Sequence, residues 1–134
     1  MLKIQYSGEV KAIDLNKLFT KCNWEASQRS LARTEQYLRT AAKLVGAFYD
    51  GELVGFGRLG FDGYVATLSD IIVNPSFRRR KVASNMMTEL IDQARQLDAI
   101  AVSLLDQSSI EGFYEQFGFK VVNPCPGLMF KSIM

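Results

Sequence analysis

The chain has 134 residues, 48% of them hydrophobic and 22% charged, a balance that suits one domain burying a core of its own over residues 1–134. Sixteen Lys and Arg against fourteen Asp and Glu leave a formal charge of +2, too small for a dedicated nucleic-acid surface, so any polyanion site must be a local cluster. The absence of histidine excludes Ser-His-Asp and Cys-His nucleophile arrangements and histidine-ligated zinc, because each needs an imidazole.

The two cysteines, Cys22 and Cys125, form neither a CxxC pair nor a disulfide framework, and a reducing cytoplasm is the simplest expected home. Residues 1–6 alternate like a strand and lack the apolar core of a signal peptide. No later segment approaches the ~20 apolar residues that span a bilayer, so no membrane partner is expected.

Leu15, Leu18, Phe19 and Cys22 predict a helix over residues 14–24, with Asp14 as its cap. A second helix is predicted over 27–43, with Leu31, Leu38, Ala41 and Ala42 facing inward. From Leu44 the pattern turns to strand. Asp50-Gly51, whose residues tolerate the positive φ of a type I′ turn, joins a strand over 44–49 to one over 52–59. Phe61-Asp62-Gly63 supplies the next turn, with Asp62 as its former, and 64–73 reads as a third strand that Pro75 ends.

Residues 82–97 carry the cleanest helical period, with Val82, Met86, Leu90, Ala94 and Leu97 on one stripe. A buried strand over 100–105 and a short helix over 109–116 follow, and Gly118 breaks that helix. Strands over 119–122 and 128–133 complete the order. The expected fold is α/β (α+β): a mixed, mainly antiparallel sheet of six to seven strands flanked by four helices.

The stretch Val73-Asn74-Pro75-Ser76-Phe77-Arg78-Arg79-Arg80-Lys81-Val82-Ala83-Ser84 runs from a strand exit through four cations into a helix start. Unpaired N–H groups at a helix N-terminus bind anions, and Arg or Lys beside them adds charge-assisted contacts to phosphate. A solvated basic turn is the alternative. Position favours a bound anion, since cations at the positive end of a helix dipole are unfavourable without one.

This stretch resembles the acetyl-CoA motif of the GNAT superfamily of N-acetyltransferases, V-x-P-x-x-[Q/R]-x-x-G-x-[G/A]. Farther on, Phe113-Tyr114-Glu115-Gln116-Phe117-Gly118-Phe119 is similar to the family's F-Y-E-x-x-G-F signature, and the element order matches across nearly the whole chain. The resemblance implies an enzyme that passes acetyl from acetyl-CoA to an amine, with coenzyme A as cosubstrate and no metal. Arg78 matches the leading Gln/Arg and Ala83 the closing Gly/Ala. Lys81 replaces the central glycine and Arg79 another position that is often glycine, so Arg79, Arg80 or Lys81 is expected to supply ionic contacts where the family uses backbone. Val82, Ala83 and Ser84 would add the N–H groups of the helix start.

By the same resemblance, a bulged strand offers main-chain partners to the pantetheine arm at Ile71, Ile72 and Val73, whose side chains read as core. Gln107 stands where the family often has an Asn that contacts coenzyme A. Tyr114 is the expected acid toward the leaving thiolate, with core packing as its alternative. Without histidine the base falls to a carboxylate, and Asp70 is the candidate, weighed equally against a buried Asp bonded to backbone. Trp24, Glu25 and Tyr37 combine aromatic surface with charge for a small-molecule amine, or pack the helices. A homodimer is expected at fold level alone. Three other functions compete: a non-catalytic CoA-binding module, suggested by Lys81 and Gln107; acetylation of proteins; and an Arg-rich nucleic-acid binder, which needs a wider basic surface than this cluster.

Overall fold

In chain order the elements are β1 (Gln5–Ser7), α1 (Ala12–Lys21), α2 (Leu31–Arg39), β2 (Lys43–Tyr49), β3 (Glu52–Phe61), β4 (Val65–Val73), α3 (Val82–Gln96) and β5 (Ala101–Leu104). Two 3₁₀ turns lie at Pro75–Phe77 and Tyr114–Phe117. The structure is a computed structural model and describes residues 3–24, 29–104, 112–120 and 131. The strands form one sheet in the order β1-β2-β3-β4-β5, antiparallel except for the parallel pair β4 and β5.

Local chemistry sets the meander. Asp50 and Gly51 both have positive φ, 51° and 80°, the geometry a two-residue type I′ hairpin needs. At the next turn Asp62 Oδ1 accepts from the N–H groups of Tyr64 and Val65, each at 2.8 Å. Those two bonds hold its carboxyl below the ordinary carboxylate range.

The sheet is covered on both faces. Val82, Met86, Met87, Leu90 and Ala94 of α3 pack on Val45, Ala47, Val54, Leu59, Ala66 and Leu68. Leu15, Leu18 and Phe19 of α1 pack with Leu53, Phe56 and Ile72. Strand alternation explains the division: Gly55 and Gly57 turn their Cα hydrogens toward α3, and Phe56 between them points toward α1. Two part-buried polar contacts tie α1 to α2 and to the segment just before it. Thr34 Oγ1 donates to Asn16 Oδ1 at 2.7 Å, and Asn16 Nδ2 donates to the Arg29 carbonyl at 2.8 Å.

Several expectations need correction. α1 starts two residues before Asp14, so Asp14 lies inside the first turn, where a carboxylate complements the helix dipole, and Lys11 holds the cap position without a side-chain bond. α2 starts at Leu31, capped by Ser30 Oγ accepting from Arg33 N at 3.2 Å. At that first position Leu31 is 48% exposed, and the inward place one turn later belongs to Thr34. β5 is half exposed rather than buried, with Ile100 before it 77% exposed. The sheet has five strands and three α-helices flank it among the described residues, against the six to seven strands and four helices expected. The described part of the helix predicted over 109–116 is a 3₁₀ turn, too short for more than one i→i+3 repeat before Gly118 turns left-handed at φ 90°. Of the strands predicted over 119–122 and 128–133, residues 121–122, 128–130 and 132–133 lie outside the described residues. Among the described residues no helix is long and apolar enough to cross a membrane.

Candidate active site

β4 carries one residue too many for its partner. Phe56 pairs with Ile72 and Arg58 with Ser69, three steps along β4 against two along β3. The surplus falls at Asp70 and Ile71, opposite Gly57, and Asp70 takes a left-handed φ of 58°. Asp accepts that region more readily than most residues, and such a bulge re-aims side chains and ends regular pairing. On its other side, β4 pairs with β5 over Val65–Leu68, so the described ladder ends two residues before Asp70. Ser69 to Val73 therefore presents main-chain groups toward β5 that have no β5 partner among the described residues. One of them is taken: Cys22 Sγ donates to the Val73 carbonyl at 3.5 Å. Burial pushes the Cys22 thiol up, and the charge of Arg78 opposes it. The side chain of Ile72 is core on the α1 side; Ile71 and Val73 pack partly buried against the α3 cluster.

The cationic loop leaves the end of β4 under tight control. Asn74, 6% exposed, bonds through its N–H to the Val54 carbonyl at 2.8 Å and accepts at Oδ1 from Ser76 N at 3.0 Å. Beyond it Arg78, Arg79, Arg80 and Lys81 are all exposed, while Val82 is buried and Ala83 and Ser84 are partly covered. Arg79 and Lys81 have φ of 66° and 62°. The two positions at which the motif favours glycine thus keep a glycine-like backbone while carrying cations. Lys81 caps α3 with no side-chain bond, leaving the first N–H groups of the helix, from Val82 to Ser84, without an acceptor in the helix. Arg80 differs from its neighbours, its guanidinium lying 5.1 Å from the ring of Phe77, which in turn packs on Tyr49 at 5.2 Å. An exposed, fourfold cationic helix entrance of this kind fits a ligand bearing phosphates.

Asp70 meets α2 at the bulge. The Tyr37 hydroxyl donates to Asp70 Oδ2. Burial, then the charge of Asp70 and this bond, push the Tyr37 phenol far above its ordinary range, against smaller opposing effects of Arg58 and Ser69. Arg58 of β3 lies 4.6 Å from the centroid of the Tyr37 ring and donates from Nε to the Tyr37 carbonyl at 3.1 Å and from Nη2 to Thr40 Oγ1 at 3.2 Å.

Trp24 stacks on Phe19 at 5.3 Å, with the guanidinium of Arg29 4.0 Å from the Phe19 ring. Trp24 and Tyr37 both pack partly buried against the α1 cluster. Tyr114 opens its 3₁₀ turn in an aromatic group, edge-on to Phe113 at 5.0 Å and to Phe119 at 6.1 Å, and this group rests on the α3-side core. Gln107 and Glu25 lie outside the described residues. No group of three or more Cys, Asp or Glu side chains suited to a metal occurs among the described residues. Sequence reasoning missed Arg58, although a lone cation inside Gly55-Phe56-Gly57-Arg58-Leu59-Gly60 was its visible signal. It also missed the Cys22 bond to Val73, which no local pattern announces.

The sequence model of the acetyltransferase (GNAT) family matches residues 12–119. The uncharacterized N-acetyltransferase ycf52 of Porphyra purpurea is 28% identical over 126 residues, covering 88% of this chain and 71% of that protein. Its counterpart in Gracilaria tenuistipitata var. liui is 25% identical, covering 87% of this chain and 65% of that protein, so the chain spans about two thirds of these relatives' length. Among solved structures, a GNAT-family acetyltransferase of Streptococcus pneumoniae is 26% identical with a TM-score of 0.79 and complete coverage, 100% of each chain. A GNAT-family acetyltransferase of Brucella melitensis, solved in complex with acetyl-CoA, shares the fold at a TM-score of 0.70 and 17% identity, over 89% of this chain and 84% of that one. With the bulged β4 and the cationic entrance to α3, the match across residues 12–119 shows that the chain belongs to the GNAT acetyltransferase family and is an acyltransferase.

Proposed function

We propose that the chain transfers acetyl from acetyl-CoA directly to the primary amine of a small molecule. The observation that carries this reading is the succession, along residues 70–84, of a bulge that carries a carboxylate, main chain without a β5 partner among the described residues, and an exposed cationic helix entrance. These features suit the needs of one extended ligand with phosphates at one end and a thioester at the other.

Arg78, Arg79 and Lys81, with the N–H groups of Val82, Ala83 and Ser84, would hold the pyrophosphate; Arg80, stacked on Phe77, would border it. Main-chain groups of Ile71, Ile72 and Val73 would line the pantetheine arm, with Gln107 a further contact. Acetyl-CoA supplies the activated acyl group. Asp70 accepts the proton the acceptor ammonium must lose, and Tyr114 donates one toward the departing sulfur. Trp24 and Tyr37 border the acceptor side.

An acetyl-CoA consumption screen over chemically distinct amines, with products identified by mass, tests the reading. Acetylated small amine is the expected product, and Tyr114→Phe should lower its kcat by about 10²-fold or more. Coenzyme A binding without any acetylated amine, or acetylation confined to peptide substrates, would overturn it.

A further inference from the structure

Asp70 sits at the β4 bulge with a left-handed backbone, and its Oδ2 is met by an element from elsewhere in the chain. The charged and titratable groups that the described structure brings to this point are Tyr37 from α2 and Arg58 from β3, with the hydroxyl of Ser69 beside them. We propose that Arg58 and Tyr37 are positioning residues: Arg58 clamps the end of α2 to β3, which holds the Tyr37 hydroxyl on Asp70 Oδ2 and leaves Oδ1 to face the acceptor ammonium. The proposal rests on the catalytic reading of Asp70 given above.

Three contacts carry it. Arg58 reaches the Tyr37 carbonyl and the Thr40 hydroxyl at the C-terminal end of α2 and lies over the Tyr37 ring, so one side chain fixes that residue at its backbone, its ring and its following turn. Cations at a helix C-terminus are favourable in any case, but a helix of nine residues needs only its last carbonyls covered. Arg58 also fixes the ring of the residue whose hydroxyl reaches the bulge. The guanidinium fork makes this possible, and a lysine with the same charge cannot span both acceptors while lying flat on the ring. Asp70 Oδ1 has no partner among the described residues, so the tether occupies one oxygen and spares the other. In the transfer step Oδ1 takes one proton from the ammonium, the freed amine nitrogen bonds to the acyl carbon, the carbon–sulfur bond breaks with the thiolate taking the proton of Tyr114, and the nitrogen's second proton returns to the Tyr114 oxygen, while the Tyr37 proton stays where it is.

The test separates the tether from the catalytic role. Phenolate absorbance is followed through alkaline titration of the whole chain without substrate. Tyr37 should be silent in the wild type through the ordinary tyrosine range, and in Arg58→Lys, which keeps the charge, one further tyrosine should ionise below about pH 11. Asp70→Asn should release the same tyrosine. Thr40→Val, which removes only one of the Arg58 contacts, is the milder second variant and should move Tyr37 part of the way. In acetyl transfer from acetyl-CoA to phenethylamine, Tyr37→Phe and Arg58→Lys should each lower kcat by up to about tenfold with the KM for acetyl-CoA little changed. Tyr37 remaining silent in Arg58→Lys and Thr40→Val would overturn the clamp whatever the activity. An Asp70→Asn enzyme with the wild-type kcat would instead overturn the role of Asp70 as base, a result separate from the clamp because the absorbance measurement needs no turnover.

Discussion

Gly57 stands opposite the surplus residue of β4, and the space where its side chain would be is filled by Ile71: a Cβ on Gly57 would lie 2.5 Å from Ile71 Cδ1 and 2.7 Å from Leu90 Cδ1. The bulge therefore depends on a missing side chain in the neighbouring strand. Ile71 leans over β3 because nothing on Gly57 stops it, and Leu90 of α3, fully buried, closes the gap from above.

Gly57→Ala puts a methyl group where two side chains already meet. Leu90 has no exposed side to move toward, so Ile71 must swing out and the bulge must adjust with it. The expected cost is about 1–2 kcal/mol of stability, read as a lower urea midpoint with unchanged slope, together with weaker coenzyme A binding by calorimetry. An unchanged midpoint would show that Ile71 relaxes freely and that Gly57 does not set the bulge.

Lys81 occupies a left-handed backbone with φ 62° at the cap of α3 and has no side-chain bond there. Lys81→Gly removes the steric cost of that conformation, about 1–2 kcal/mol for an L-residue, and returns part of it because glycine gives the unfolded chain more entropy to lose on folding. The folded protein should gain up to about 1 kcal/mol, seen as a higher Tm. If the side chain supplies the phosphate contact, the same variant should bind coenzyme A more weakly and with a shallower dependence on salt. Higher Tm with undiminished affinity would mean that the backbone N–H groups suffice and the lysine is only a solvated charge.

How much of this could be seen in the residues depends on the range of the interaction. Asp50-Gly51 and the stripe Val82, Met86, Leu90, Ala94 are local patterns, and the hairpin and α3 follow them closely. The cationic run at Arg78 to Lys81 is likewise local, and its position at a helix entrance is written in the order of the sequence. Leu31 shows where locality fails. Its spacing was right for a helix face, but the start of α2 at Ser30 and the hydrogen bond from Thr34 to Asn16 turned a different side inward. The bulge, the bond from Tyr37 to Asp70 and the grip of Arg58 join residues 18 to 33 positions apart or depend on strand register, which no window of sequence contains.

Tyr37 ties stability to alkaline pH. In the unfolded chain its phenol loses a proton near pH 10, whereas in the fold burial and the Asp70 charge keep the proton on. Above about pH 10 the unfolded state therefore binds fewer protons than the folded one, and stability falls as pH rises. The contribution is complete below the unfolded value and disappears as pH climbs toward the folded one. Tyr37→Phe should flatten the decline of the urea midpoint between about pH 9 and 11 relative to the wild type. Parallel declines in the two proteins would place Tyr37 in a more solvated setting than the bond to Asp70 describes.

Cys22 and Arg78 make the last case, because the thiol lies beside the main chain of β4 and the cation at the start of the loop. Burial raises the thiol and Arg78 lowers it, with burial the larger effect. Only the thiolate reacts with iodoacetamide, so alkylation of Cys22 at mildly alkaline pH should be slow. Arg78→Ala removes the lowering influence and should slow it further, by about two- to threefold, the modest size expected of an exposed cation in water. Salt at about 1 M should erase most of the difference by screening the charge in the wild type. Rates followed on the peptide that carries Cys22 separate it from Cys125. Equal rates in the two proteins at low salt would mean that Arg78 extends away from β4, and its contact with a phosphate-bearing ligand would then require the side chain to reorient on binding.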